Sequence, residues 1–356
     1  MALTIRDVAR QAGVSVATVS RCLTGRGPVH PDTEQRIRNV AERLRYVPHA
    51  AARSLITSRT QTIALLLPDM YGEYFSEFLR GADRVARQSG HHLLVSSSHG
   101  EKELRAALGA TRGRVDGIVI MCPEADVCPG PVDGAEVPLV LVNAPRAPRA
   151  VATVGVDNRR GAEAMVRHLV ALGHRRIAFV RGPLGNHEAN ERLRGYRRAV
   201  RALGAAAAPE LELPGDFGEA SGYEAGRRAL ALHAPPQAVF AANDAMAIGV
   251  LLALREAGVP VPGSVALAGF DDVPMARYVA PPLTTVRVPI EELGACALAH
   301  VLEAIRGRVR ARHEVLPTQL VVRASCGAAP GPAAKDGPRH RPAVLSGRAP
   351  GRRPRR

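Results

Sequence analysis

From Gln61 to about Val322 the chain keeps one texture, in which short apolar runs alternate with longer stretches whose apolar residues recur at helical spacing. The runs 63–68, 92–97, 117–121 and 138–143 read as strands, with helices over 74–90 and 104–111 between them. After Asp157 the pattern restarts, with helices over 161–173, 191–203 and 245–258 and strands over 177–181, 238–241 and 265–270. A last helix over 291–305 and a last strand over 314–322 close the series. Strands that are apolar along their whole length are buried on both faces, and only a parallel sheet sandwiched by helices provides that. The body of the chain is therefore predicted to be α/β, in two successive lobes of one kind.

Residues 4–45 lack strands altogether. Thr4 and Asp7 have capping-box spacing ahead of an apolar stripe of Ile5, Val8, Ala9 and Ala12, and Gly13 breaks the helix. Ser15 can cap a second helix running to about Leu23, with Val19 and Leu23 inward. After a Gly- and Pro-containing loop, a third helix starts near Pro31 and buries Ile37, Val40, Ala41 and Leu44. Two helices joined by a glycine turn, with a third across them, make a helix-turn-helix head. Pro48 ends the third helix. Residues 49–55 have helical propensity but barely two turns, so a helix there needs a partner to persist.

Charge separates the same regions. Residues 1–60 carry ten Arg against four acids, and residues 327–356 carry eight basic groups against one acid. A near-neutral body with basic ends points to contact with a polyanion. The 326–356 segment is Gly, Pro, Ala and Arg with few large apolar side chains and no Leu heptads, so it is read as a disordered basic tail. No apolar run reaches the roughly 18 residues of a membrane span, and the N-terminus has no apolar signal core. Together with five scattered Cys, this places the chain in a reducing cytoplasm, near the nucleoid if its partner is DNA. Cys122 and Cys128 lack metal-site spacing and a matching His pair, so neither metal nor cofactor is expected. GxxxxGK[ST], HExxH and GxSxG are absent, and the chain is read as not being an enzyme.

Ile5-Arg6-Asp7-Val8-Ala9 followed by Gly13-Val14-Ser15-Val16-Ala17-Thr18-Val19-Ser20-Arg21 resembles the head of the LacI/GalR family of bacterial regulators. The resemblance continues in order through Tyr46-Val47-Pro48, Ala52-Arg53-Ser54-Leu55, residues 173–177, Ala242-Asn243-Asp244, Gly269-Phe270-Asp271-Asp272 and residues 281–285. It implies a transcriptional repressor with a helix-turn-helix domain (1–46), a hinge helix (47–60) and a periplasmic-binding-protein-like core (61–325). In such a core the chain crosses between lobes three times, here with lobe one at about 61–158 plus 290–322 and lobe two at about 159–289. The implied partners are a near-palindromic double-stranded operator bound as a homodimer, and a small effector, a sugar or sugar derivative. His30 departs from the family pattern, in which Ser or Thr caps the third helix.

Within the head, a second helix lying in the major groove with Val19 and Leu23 buried exposes Ser15, Val16, Ala17, Ser20 and Arg21. Arg21 suits bidentate contact with guanine, and Val16 and Ala17 offer methyl groups to thymine. Thr4, Ser15, Thr18 and Ser20 suit phosphate oxygens. The resemblance assigns Leu55 as a minor-groove wedge between paired hinge helices, with Ala52 and Arg53 against the groove walls. In the core it assigns Phe75 and Phe217 as rings stacked on the effector, with Arg192, Asn143, Asn243 and Asp271 as its polar lining. Asn243 and Asp271 lie just past strand ends, where open α/β sheets bind ligands, and Asp271 suits vicinal hydroxyls. Asp157 and Asp272 read as structural. Aromatic platforms suit sugar C–H faces and nucleobases alike, so a nucleobase-responsive corepressor is the alternative. A sugar-modifying enzyme or a solute receptor on the same core is disfavoured by the missing motifs and the basic head.

Overall fold

A computed structural model describes residues 3–24, 27–46, 59–124, 137–144, 147–148, 151–308 and 312–327. The sequence-assigned hinge residues Ala52, Arg53 and Leu55, together with Cys128 and the tail past Gly327, lie outside the described residues.

The head is three helices, α1 (Ile5–Ala12), α2 (Val16–Thr24) and α3 (Pro31–Arg43). The capping box forms as the sequence suggests, since Asp7 accepts from both the amide and the hydroxyl of Thr4. Those two bonds hold the Asp7 carboxyl below its usual range. Gly13, at φ +63°, closes α1, and the Ser15 hydroxyl oxygen accepts the Thr18 amide at 3.1 Å to open α2. Val8, Ala9, Ala12, Val19, Cys22, Ile37, Val40 and Ala41 form the small core. Leu23 and Leu44, expected inside, pack half-buried at its margin. His30 stands at the α3 N-cap without capping it through its side chain.

The body contains two six-stranded sheets built on one plan. The first combines β1 (Thr62–Leu67), β2 (His92–Ser97), β3 (Gly117–Met121), β4 (Leu139–Val142) and β5 (Ala152–Val156), in the order β2-β1-β3-β4-β5. The second combines β6 (Ile177–Val180), β7 (Glu212–Leu213), β8 (Ala238–Ala241), β9 (Ala266–Asp271) and β10 (Thr284–Arg287), in the order β7-β6-β8-β9-β10. All pairings within these two sets are parallel. The helices α4 (Glu73–Gln88), α5 (Glu101–Thr111) and α10 (Ile290–Ile305) serve the first sheet. The second is served by α6 (Asn158–Ala171), α7 (His187–Ala202), α8 (Glu219–Leu230) and α9 (Asp244–Glu256).

The predicted single strand over 314–322 is instead two strands in different sheets. β11 (His313–Leu316) runs parallel to β5 at the edge of the first sheet, and β12 (Gln319–Val321) runs antiparallel to β10 at the edge of the second. Pro317 and Thr318 between them make the third crossover, so lobe one ends at about residue 316, not 322. The first and third crossing segments are tied together, because the Asp157 amide donates to the Leu316 carbonyl at 3.0 Å and the Thr318 hydroxyl donates to the Asp157 carbonyl at 3.3 Å.

β5, β7, β10 and α8 are elements the sequence reading did not foresee. In α8 the cause is Gly222 and Gly226, which lower helix propensity in its interior. Their use is close approach, for a Cβ on Gly222 would stand 2.1 Å from the Met246 carbonyl oxygen, and one on Gly249 would stand 2.0 Å from that of Glu219. Packing of α8 on α9 thus overrides local preference.

Candidate functional site

Two surfaces collect the sequence-assigned residues. On the head, Ser15, Val16, Ala17 and Arg21 are exposed along one side of α2, opposite buried Val19 and Cys22. Val16 is 41% exposed. Ser15 and Thr18 share a hydroxyl hydrogen bond of 2.8 Å, and Thr4 spends its hydroxyl proton on Asp7. Of the side chains assigned to phosphate, Thr4 is therefore committed to the cap.

The second surface lies between the lobes, at the carboxyl ends of their strands. From the first lobe come Tyr74 and Phe75 at the start of α4, and Asn143 just past β4. From the second come Glu188 and Arg192 on α7, Phe217 ahead of α8, and Asp271 at the end of β9. The lobes touch where the His187 amide donates to the Pro123 carbonyl at 2.7 Å, and where the Met275 amide donates to Glu73 at 3.0 Å.

Arg192 is the hub. It is 3% exposed, and each guanidinium nitrogen is engaged: Nε with Asn158 at 2.8 Å, Nη1 with the Ala242 carbonyl at 2.6 Å, and Nη2 with Asp271 at 3.0 Å. Its plane also lies 4.0 Å over the Phe270 ring, a cation–π contact. The sequence assigns Arg192 to the ligand, and here the protein engages three of its five N–H groups. Asp271 Oδ1 faces Arg192 without accepting an aligned hydrogen bond. Burial pushes the Asp271 carboxyl up to about 6 despite the Arg192 charge.

Asn243 is likewise committed, since its Oδ1 caps α9 through the Met246 amide and its Nδ2 donates to the Phe217 carbonyl at 2.9 Å. It positions Phe217 rather than lining the cleft with free groups. Phe217 is seated against Gly182, where a Cβ would meet its ring at 2.6 Å. Asn143 is 4% exposed, with Nδ2 donating to the Tyr74 hydroxyl at 3.3 Å and Oδ1 without a partner.

Asn143, Phe217 and Asp271 have φ of 56°, 75° and 108°. Non-glycine residues in that region cost on the order of 1–3 kcal/mol each and concentrate where function holds them. Asp272 shares the turn at φ 57°, but its buried carboxylate faces Arg277, Arg287 and Arg323, the last from beyond β12. That braces the crossover, and Asp157 caps α6 through the Arg160 amide.

The sequence reading missed Glu188, Asn158, Tyr74 and Asp244. Glu188 is 8% exposed, and its Oε2 accepts from Asn158 Nδ2 at 2.6 Å. Burial drives its pKa up to about 7, against the opposing effect of Arg192. The four-residue spacing of Glu188 and Arg192, which puts both on one helix face, was the available signal. Tyr74 is pushed well up by burial and by the Glu188 and Asp271 charges facing it. Asp244 takes the Thr285 hydroxyl at 2.6 Å and the Val273 amide at 2.9 Å, beneath the cleft floor. A separate recess of about 250 Å³ opens at the ends of β1, β2 and β3, lined in part by Ser98, His99, Met121 and Glu124, and none of the sequence-assigned residues line it.

Residues 4–49 match bacterial regulatory proteins of the lacI family, and residues 166–326 match a periplasmic binding protein-like domain. The ribose operon repressor of Escherichia coli (strain K12) is 33% identical over 306 residues, covering 85% of this chain and 93% of that protein. The chain belongs to the lacI family. The transcriptional repressor PurR of Proteus mirabilis is also 33% identical, over 307 residues, covering 85% of this chain and 90% of that protein. The lac repressor dimer bound to operator and the anti-inducer ONPF superposes with a TM-score of 0.83 at 26% identity, covering 92% of this chain and all of that one. This member of the lacI family is a DNA-binding transcriptional repressor with a ligand-binding core. Among the described residues, no helix is long and apolar enough to cross a membrane.

Proposed function

We propose that this repressor binds a near-palindromic operator as a homodimer and that a polyhydroxyl ligand, a sugar or sugar derivative, held between its lobes sets operator affinity. On the DNA side, Arg21 reads guanine, Val16 and Ala17 face thymine methyls, and Ser15, Thr18 and Ser20 meet phosphates, with Thr4 fixing the start of α1. Leu55 wedges the operator centre while Ala52 and Arg53 line the minor groove. In the cleft Asp271 and Asn143 take ligand hydroxyls, Phe75 and Phe217 stack on its carbon faces, and Arg192 and Asn243 hold Asp271 and Phe217 in place.

The observation that carries this reading is a pair of buried acceptors from opposite lobes, Asn143 Oδ1, which has no partner, and Asp271 Oδ1, which is held by the Arg192 ion pair at 3.0 Å. A buried acceptor left unmatched costs about 1–3 kcal/mol, and a hydroxyl donor from a ligand removes that cost only when both lobes close on it. Coupling to DNA runs through the Asp271 carbonyl, which accepts the amide of Val288, on the second crossing segment, at 3.1 Å.

Operator affinity measured by fluorescence anisotropy, with and without ribose, cellobiose and hypoxanthine, tests the reading. A shift with a sugar, about 5–150-fold if coupling is of ordinary size, is the expected result. A shift with hypoxanthine alone replaces the sugar with a nucleobase, and no shift with any ligand that demonstrably binds removes the regulatory role.

A further inference from the structure

We propose that Glu188 makes the cleft selective for a ligand bearing a protonated amine beside its hydroxyls, an amino sugar or amino polyol, over the matching neutral sugar or sugar acid. The selectivity presupposes that the cleft is the ligand site proposed above.

The polar groups of the cleft are lopsided. Its donors are largely engaged: Arg192 Nε and Nη1 donate to Asn158 and Ala242 and Nη2 pairs with Asp271, Asn243 Nδ2 donates to Phe217, and Asn158 Nδ2 to Glu188, which leaves the Tyr74 hydroxyl proton and the second hydrogens of the Arg192 Nη atoms. Its acceptors are not. Asn143 Oδ1 is buried with no partner, Asp271 Oδ1 has no aligned one, and Glu188 has a single hydrogen bond, at Oε2. A ligand that fills this inventory must donate.

Charge points the same way. Glu188 and Asp271 are both more than nine-tenths buried, and Arg192 is the one cation among the described residues that acts on either. Asp244, buried below them, is driven toward its protonated form by burial, and Glu191 on α7 is a further acid. Of the other basic groups nearby, Arg194 pairs with Glu191 and Arg277, Arg287 and Arg323 with Asp272, while Arg181, just past β6, keeps a buried Nε without a hydrogen-bond partner. His187, next to Glu188 in sequence, has its pKa lowered by burial. Arg192 balances one carboxylate, Asp271, and burial favours the protonated form of Glu188, so an ammonium seated beside Glu188 would supply the counter-charge that its ionised form lacks. A neutral hydroxyl supplies only a hydrogen bond, and a carboxylate adds repulsion.

The burial that raises the Glu188 pKa also supplies an independent readout. An ammonium seated beside Glu188 would ionise it, and the proton would leave for the buffer. Amine binding at about pH 7 should therefore release protons, which binding of the neutral sugar should not.

The test uses the full-length protein and isothermal titration with matched sets: glucosamine, glucose and glucuronate, and the galacto and manno equivalents, in two buffers of different ionisation enthalpy. At least one amine should bind about ten- to hundredfold more tightly than its neutral partner, with proton release and with no binding of the matching acid. Glu188→Gln, checked for folding by circular dichroism, should collapse that ratio toward one and abolish the proton release. Equal or tighter binding of the neutral sugars, a ratio unchanged in Glu188→Gln, or silence from every amine would each overturn the assignment. If Glu188→Gln does not fold, the wild-type ratios and proton counts decide alone. Neutral sugars that bind and shift operator affinity would leave the regulatory reading intact while removing the amine, so the two failures are distinguishable.

Discussion

The head and the cleft achieve recognition in opposite ways. The side chains assigned to DNA on α2 are exposed and, at Val16, Ala17 and Arg21, project from a helix whose opposite face carries the packing. In the cleft, Glu188, Asn158, Arg192 and Asp271 are linked in one chain of bonds in the second lobe and Asn143 is bonded to Tyr74 in the first, and they are mostly buried. A helix face carried by a separate core can change its readout residue by residue, with small and additive costs. A buried network cannot, because removing one member leaves its partners unmatched.

Asp271→Ala should test that contrast most severely. It leaves Arg192 buried without its nearest anion, and breaking a buried pair costs about 3–5 kcal/mol. The core should lose that much stability in urea melts, and operator affinity should stop responding to effector. A variant as stable as wild type and still responsive would mean the network is not what holds the cleft.

The next effect comes from Glu188. Its folded pKa of about 7 lies above its ordinary 4.5, so the folded state holds a proton the unfolded state gives up. That contribution is fully present below about pH 4.5 and is lost as pH rises through about 7, on the order of 3 kcal/mol in all. Relative to wild type, Glu188→Gln should gain stability steadily over this window. Parallel stability–pH curves for the two proteins would show that Glu188 does not titrate there.

How much of this was legible beforehand follows the same division. Helix positions, capping box and exposed face of the head were readable because they depend on residues within a few places of each other. Asp271 and Phe217 were found through family resemblance, but their left-handed backbone was not. Glu188 was passed over because an acid in the first turn of a helix ordinarily favours the dipole and stays in water. Only tertiary structure brings Asn158 and Arg192 against it. β12 was missed although Pro317 marks a break inside residues 314–322, since only the tertiary pairing shows that the two sides of that break belong to different sheets.

Arg21→Ala on the head should cost about 1–3 kcal/mol on operator and little on random DNA, if it contacts guanine. Equal losses on both would assign it to phosphate. Combined with Val16→Ala, the loss should be additive to within about 0.5 kcal/mol, as the contrast with the cleft requires.

The smallest effect probes whether the head is as locally determined as its sequence suggests. α3 begins at His30, whose backbone is extended (φ −60°, ψ 136°) as an N-cap requires, yet whose side chain makes no capping bond. Pro31 has no amide to satisfy, so the open donors of the first turn are the Asp32 and Thr33 amides. A serine hydroxyl at position 30 reaches them without any change of backbone, and a cap of this kind contributes about 0.5–1 kcal/mol. His30→Ser should therefore slow hydrogen exchange of the first α3 amides about two- to fivefold in the full-length protein and leave the effector response unchanged. The imidazole gives up little in return, since its contact with Asp32 is 3.6 Å long and lies in water. If exchange in α3 does not slow, the α3 N-terminus is stabilised by something outside the first turn. If the effector response moves as well, the head is coupled to the core through its own stability, and the division between an autonomous head and a networked cleft fails.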